Sequence, residues 1–141
     1  MPIKFRVDRE NRLLEAVLTG NVSSMEMLSY LRKIRAELDS GHFDQLVTFK
    51  DIKDFMTGQQ IGNIAIYENR LFRHLDNRIA LVAKSDVEFG LSRQYQLYRD
   101  HPPEKLRVFR NMKEATDWLG QVEYAETDQP IEPVPWSYIA Q

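Results

Sequence analysis

A short capping signature occurs four times along this chain, each time soon after an apolar, strand-like run. It reads Ser23-x-x-Glu26, Thr57-x-x-Gln60, Ser85-x-x-Glu88 and Asn111-x-x-Glu114. The hydroxyl or amide of the first residue accepts a hydrogen bond from an orphan N–H of a helix's first turn. The Glu or Gln three positions on reaches back to the cap's own N–H. One match is a weak signal, because these residues are common. Four matches in register with four strand candidates impose a repeated strand-to-helix grammar, and so an α/β domain.

The strands follow from periodicity. Residues 3–8 alternate apolar and charged side chains, which predicts a half-buried strand. Residues 12–19 make a second, with Leu14, Ala16 and Leu18 on one face, and the polar turn 9–11 joins the two as an antiparallel hairpin. Further strands are expected at 46–49, 78–83 and 106–110. The run Ile79-Ala80-Leu81-Val82 is continuously apolar, as the covered middle of a sheet should be. Each cap opens a helical stripe: Met27, Leu31, Ile34, Leu38; then Ile61, Ile64, Ala65, Tyr67, Leu71, with Gly58 and Gly62 weakening the first turns. The third stripe is Val87, Leu91, Tyr95 and Tyr98, ended before Pro102-Pro103, and the fourth is Met112, Ala115 and Leu119, stopped by Gly120. The expected order is β-β-α-β-α-β-α-β-α. Right-handed crossovers make the five-stranded sheet mixed but mostly parallel, packed by four helices.

Composition narrows the function classes. The chain has 141 residues and no Cys, so one domain is expected, with no disulfide, thiolate nucleophile or Cys-based zinc site. Residues 1–6 carry no long apolar segment and no apolar run approaches membrane-spanning length, so a cytoplasmic protein without a membrane span is expected. The net charge is −2, yet Glu123, Glu126, Asp128 and Glu132 follow Gly120 with no Lys or Arg among them. The body is thus near neutral and lacks the basic footprint of a nucleic-acid binder. The chain divides into a domain at 1–120 and an acidic, Pro-rich arm at 121–141.

Candidate sites are few. Asp51 and Asp54 fall on the loop after the third strand, in the carboxyl-edge region where ligands of open α/β sheets bind. Lys50 and Lys53 alternate with them, so a self-neutralising solvated loop is the simpler reading. His42, His74 and His101 share no metal-binding spacing, and no phosphate cradle or hydrolase elbow is present. No metal, cofactor or catalytic activity is expected. Arg70, Arg73 and Arg78 surround the junction of the second helix and fourth strand, as solvated charges or as a surface for an anionic group.

Three stretches carry a resemblance: Arg78-Ile79-Ala80-Leu81-Val82-Ala83, then Phe89-Gly90-Leu91-Ser92-Arg93-Gln94-Tyr95, then Val108-Phe109-Arg110 with Glu114-Ala115 and Trp118-Leu119. Over residues 3–119 the chain resembles the SpoIIAA-like, STAS/SEC14-type family of small bacterial domains related to anti-sigma-factor antagonists. The resemblance implies a mixed sheet packed by helices, no catalytic machinery, and protein–protein switching or binding of a small apolar ligand. In antagonist relatives a Ser at the start of the helix after the third strand accepts phosphate, usually within Asp-Ser-Ser/Thr-Gly. The corresponding stretch here is Phe55-Met56-Thr57-Gly58: Thr57 and Gly58 fit, and Met56 stands where Asp is expected. Thr57 is thus a candidate phosphoacceptor as well as a cap. Gly90 is expected to let the third helix approach the sheet. Arg93 points away from the Tyr95 stripe and joins Asp51, Asp54 and Phe55 as candidate ligand or partner contacts. The expected function is a non-enzymatic regulatory domain acting through protein–protein interaction. The alternative is a carrier or sensor of a lipid-like ligand, lined by aromatics such as Phe55, Phe72 and Phe89.

The arm lies outside that resemblance. Its prolines at 130, 133 and 135 exclude a helix, and Val134, Trp136 and Tyr138 alternate as on an extended strand. Trp136 and Tyr138 are expected to dock on a globular surface, that of a second subunit, and so to build a homodimer; docking on the chain's own domain is the alternative.

Overall fold

The hairpin is in place: β1 (Ile3–Asp8) runs antiparallel to β2 (Leu13–Asn21), with Phe5 opposite Ala16. The computed structural model describes residues 2–38, 41–73, 75–120 and 137–138. After the hairpin come α1 (Ser24–Glu37), β3 (Gly41–His42), β4 (Asp44–Asp54), α2 (Gly58–Leu71), β5 (Leu75–Asp76), β6 (Ile79–Ala83), α3 (Asp86–Tyr98), β7 (Leu106–Phe109), α4 (Met112–Leu119) and β8 (Ser137–Tyr138). The main sheet has the order β7-β6-β4-β2-β1-β8. β2, β4, β6 and β7 are mutually parallel, and β1 and β8 pair antiparallel. β3 and β5 form a separate two-stranded parallel ribbon that the residue pattern did not reveal.

All four caps are real. Ser23, Thr57 and Ser85 make reciprocal boxes with Glu26, Gln60 and Glu88. Asn111 accepts from the Glu114 N–H at 2.9 Å, the forward half of a box. α4 ends at Gly120, whose φ of 76° is the left-handed conformation that glycine adopts without a Cβ clash.

The helices divide between the two faces of the sheet. Met27, Leu31 and Ile34 of α1 and Ile61 and Ile64 of α2 pack on Leu14, Ala16, Leu18, Ile79 and Leu81. On the opposite face Ala115 and Leu119 of α4 cover Leu13, Leu46, Ala80 and Val82. β6 is therefore buried along its whole length, which explains its unbroken apolar sequence. Arg78 locks α4 in place. Its Nη1 donates to the Trp118 carbonyl and its Nη2 to the Leu119 carbonyl, both at 2.7 Å, while Nη2 also meets Asp44 Oδ2 at 3.1 Å. These are the orphan carbonyls of a helix C-terminus, so Arg78 is a structural cap and not a solvated charge.

Three expectations change. The third sheet strand does not end at residue 49: β4 continues through Lys50 to Asp54, so Asp51 and Asp54 sit on a strand and not on a loop. Its polar end is held because β2 supplies the ladder, with Gly20 opposite Ile52 and Asn21 opposite Asp54 across a bulge. α3 does not bury the predicted stripe. Val87 and Tyr98 are 69% and 47% exposed, while Glu88, Ser92 and Arg99 are buried. Gly90 is exposed with no neighbour near its missing Cβ, so it does not mediate close approach to the sheet. Close approach occurs at α2 instead, where Gln94 lies over Gly58 and the Tyr98 ring over Gly62.

Of the C-terminal arm, Ser137 and Tyr138 pair with Phe5 and Lys4 of the same chain's β1. Residues 121–136, with Trp136, lie outside the described residues, as does His74.

Because Gly90 is a solvent-facing helix-interior glycine, Gly90→Ala is expected to stabilise the protein by about 0.5–1 kcal/mol. Urea unfolding checks it, and an unchanged or lowered midpoint would contradict this placement of Gly90.

Candidate functional site

The carboxyl edge of the sheet collects the N-termini of α1 and α2. β2 leaves the sheet through Gly20, at φ 65°, and Val22 N–H donates to the Asp54 carbonyl at 3.0 Å. That bond draws the end of β4 against the start of α1. The result is a cleft of about 250 Å³ between the two helix starts, walled by Asn21, Ser23, Glu26, Asp54, Phe55 and Gln60 among others. Its rim is built from caps: Glu26 Oε1 accepts from Ser23 N–H at 3.0 Å, and Gln60 Oε1 from Thr57 N–H at 2.9 Å. Glu26 Oε2 and Ser24 Oγ are buried with no hydrogen-bond partner among the described residues. Met25 stands beside it with 75% of its surface exposed.

The predicted residues divide. Asp54, Phe55 and Thr57 come together at this edge, where Asp54 and Thr57 are exposed and Phe55 packs edge-on against Phe49 at 5.9 Å between centroids. Thr57 Oγ1 accepts from Gln60 N–H at 3.3 Å, which places its hydroxyl at the positive end of α2. Asp51 is exposed at a left-handed φ of 53°, next to the point where Glu88 Oε2 accepts from Ile52 N–H at 3.1 Å. Arg93 joins neither: it lies on the outer face of α3, donating to Gln96 Oε1 at 2.9 Å. Tyr138 belongs to β8, on the far edge of the sheet.

Deeper in the domain lies a polar cluster of which the expected stripes included only Tyr95. Tyr95 of α3 donates to Glu68 Oε2 of α2 at 2.7 Å, and Arg99 Nε lies 3.8 Å from the same oxygen. Arg99 Nη1 donates to Asn69 Oδ1 at 2.8 Å. Tyr30 of α1 is buried, with its hydroxyl making no hydrogen bond among the described residues. Tyr30, Gln45, Glu68 and Tyr95 border a mostly apolar cavity of about 50 Å³, lined also by Met27, Phe49 and Leu81. Burial pushes the Glu68 carboxyl above its ordinary range, with Arg99 and the Tyr95 bond pulling the other way. Burial also pushes the Tyr95 and Tyr30 phenols well up. A signal for this cluster was present: Ile61, Ile64, Ala65 and Glu68 keep helical spacing, as do Glu88, Ser92, Tyr95 and Arg99. An apolar stripe search passes over both continuations because their ends are charged.

Among the described residues no three His, Asp or Glu side chains gather to hold a metal, and no helix is long and apolar enough to cross a membrane. No family model, curated protein or solved structure matches this chain.

The raised Glu68 gives a pH signature. The folded chain holds this proton where the unfolded chain has released it, so its stabilising contribution is full below the ordinary value of 4.5 and declines as pH rises through the raised value. Glu68→Gln removes that titration. The unfolding free energy of the wild type should fall relative to the variant as pH rises from 4.5 toward neutrality. A difference constant with pH would show that Glu68 titrates normally.

Proposed function

We propose that this chain is a non-enzymatic, SpoIIAA-like binding domain that docks a regulatory protein at the carboxyl edge of its sheet. The observation behind this reading is that exposed Asp54 and half-buried Phe55 line one cleft with Ser24 and Met56, whose chain neighbours Met25 and Thr57 are exposed. A partner would present a Lys or Arg to Asp54, and an apolar side chain to Met25 and Phe55. Thr57 is the regulatory position in this reading. A phosphate there would gain from the α2 N-terminus while placing new negative charge where the partner's cation must sit.

Thr57→Ala should cost about 1 kcal/mol of stability through loss of the cap, whereas Thr57→Asp should keep the fold. The full chain should capture a protein from its native organism, and Asp54→Lys and Thr57→Asp should each abolish that capture while Arg93→Gln preserves it. Capture indifferent to Asp54 and Thr57 would remove the docking reading.

The carrier reading rests on the cavity at Tyr30, Glu68 and Tyr95. At about 50 Å³ that space suits on the order of a few water molecules, not an acyl chain, so the helices would have to part. This favours the docking edge.

A homodimer through the arm belongs to the same proposal. β8 covers two residues of the β1 edge, and the same antiparallel pairing can be made by the arm of a second copy. Truncation after Gly120 should then convert a dimer to a monomer in analytical ultracentrifugation; an unchanged dimer would exclude arm exchange.

A further inference from the structure

We infer that the amino edge of the domain carries a second binding site, one for a small phosphate monoester. It goes beyond the docking edge and does not depend on it. α2 and α3 both run from the carboxyl edge back to the amino edge, where their C-terminal ends face each other across a cleft of about 270 Å³. Asn69, Arg70 and Arg73 line it from α2 and the turn beyond, and Arg99, Asp100 and His101 line it from the end of α3.

The charges here do not cancel. Three guanidiniums stand against one lining carboxylate, that of Asp100, and against Glu68 behind Arg99, 3.8 Å from its Nε. Arg70 and Arg73 are exposed, and neither makes a hydrogen bond or ion pair among the described residues. Arg70 in the last turn of α2 answers the helix dipole. Arg73 lies beyond the Phe72 cap, so the dipole argument does not cover it. Arg99 is held differently. Its side chain is only 1% exposed, Nη1 is fixed on Asn69 Oδ1, and Nη2 is buried with no hydrogen-bond partner among the described residues. Asn69 also accepts from Asp100 N–H at 2.8 Å and donates to the Tyr98 carbonyl at 3.0 Å, so one amide ties the two walls together. The site therefore has one buried, hydrogen-bonded cation and two exposed ones.

Guanidinium forks match phosphate oxygens two at a time, and a tetrahedral dianion can engage several forks at once. A carboxylate offers one plane of acceptors and satisfies fewer of them. The volume admits a phosphate with a small alcohol attached, which makes a soluble phosphate monoester the fitting ligand.

The test uses the full chain, inorganic phosphate and glycerol 3-phosphate as probes, and amide chemical shifts as the readout. Both probes should bind with a Kd of roughly millimolar or tighter and move the amides of residues 69–73 and 99–101 together. Arg70→Gln and Arg73→Gln, both at exposed positions, should each weaken binding about tenfold. Arg93→Gln on the outer face of α3 should leave it unchanged, which separates a local site from general charge. Shifts spread over the surface, or equal weakening in all three variants, would overturn the inference. So would binding to vesicles containing phosphatidate with no response to either soluble probe, since that places the recognition at a lipid surface.

Discussion

Every helix that follows a parallel strand in this domain must start at the carboxyl edge of the sheet, and its first N–H groups arrive there without partners. The chain answers with side chains from the residues just before each helix: Ser23, Thr57, Ser85 and Asn111. These caps fix where each helix begins, and hence how far each strand runs before it turns. Glu88 shows the economy of the device. One oxygen closes the Ser85 box and the other takes the Ile52 N–H of β4, so a single carboxylate pins α3 to the sheet. Shortening any of these contacts to a methyl group would leave amide groups unpaired at the edge.

The same directional rule gives the domain two chemically distinct ends. The carboxyl edge has helix N-termini, exposed carboxylates and a hydroxyl at Thr57. The amino edge has helix C-termini and guanidiniums: Arg70 in the last turn of α2 answers that helix's dipole, and Arg73 and Arg99 stand just beyond the ends of α2 and α3. On the other face Arg78 caps α4 directly by donating to its last carbonyls, and its pairing with Asp44 ties that helix to the start of β4. Between the two ends, Glu68 and Tyr95 join α2 to α3 through the interior. A buried carboxyl is expensive unless it is hydrogen-bonded or protonated. The Tyr95 hydroxyl, the nearby Arg99 and the raised affinity of Glu68 for its proton all reduce that cost.

Much of the fold was legible because its signals are local. A capping box needs only residues three apart, and the stripe of α1 from Met27 to Leu38 needs only spacings of three and four; both appear in the structure as the residues dictate. Thr57 could be placed at the start of α2 for the same reason, and with it Asp54 and Phe55 near the carboxyl edge. The inner face of α3 was misread because burial there follows what the helix meets: Glu88 meets an open amide of β4, and Arg99 meets Asn69 of α2. The polar end of β4 escapes a local reading because its partners, Gly20 and Asn21, lie more than thirty residues earlier in the chain.

The sequence by itself determined which segments become helices, where each one starts, and that β6 lies under cover on both sides, because these depend on neighbours along the chain and on the simple sorting of apolar from polar residues. Only the tertiary structure decided which charged side chains would be buried, that Arg93 would stand apart from the cleft, and that Arg70 and Arg73 would face Arg99 across another. Those outcomes turn on distances between residues on separate elements. Such distances are set by how α2 and α3 pack on a common sheet, with Gln94 over Gly58 and Tyr98 over Gly62, and no local pattern of residue types encodes them.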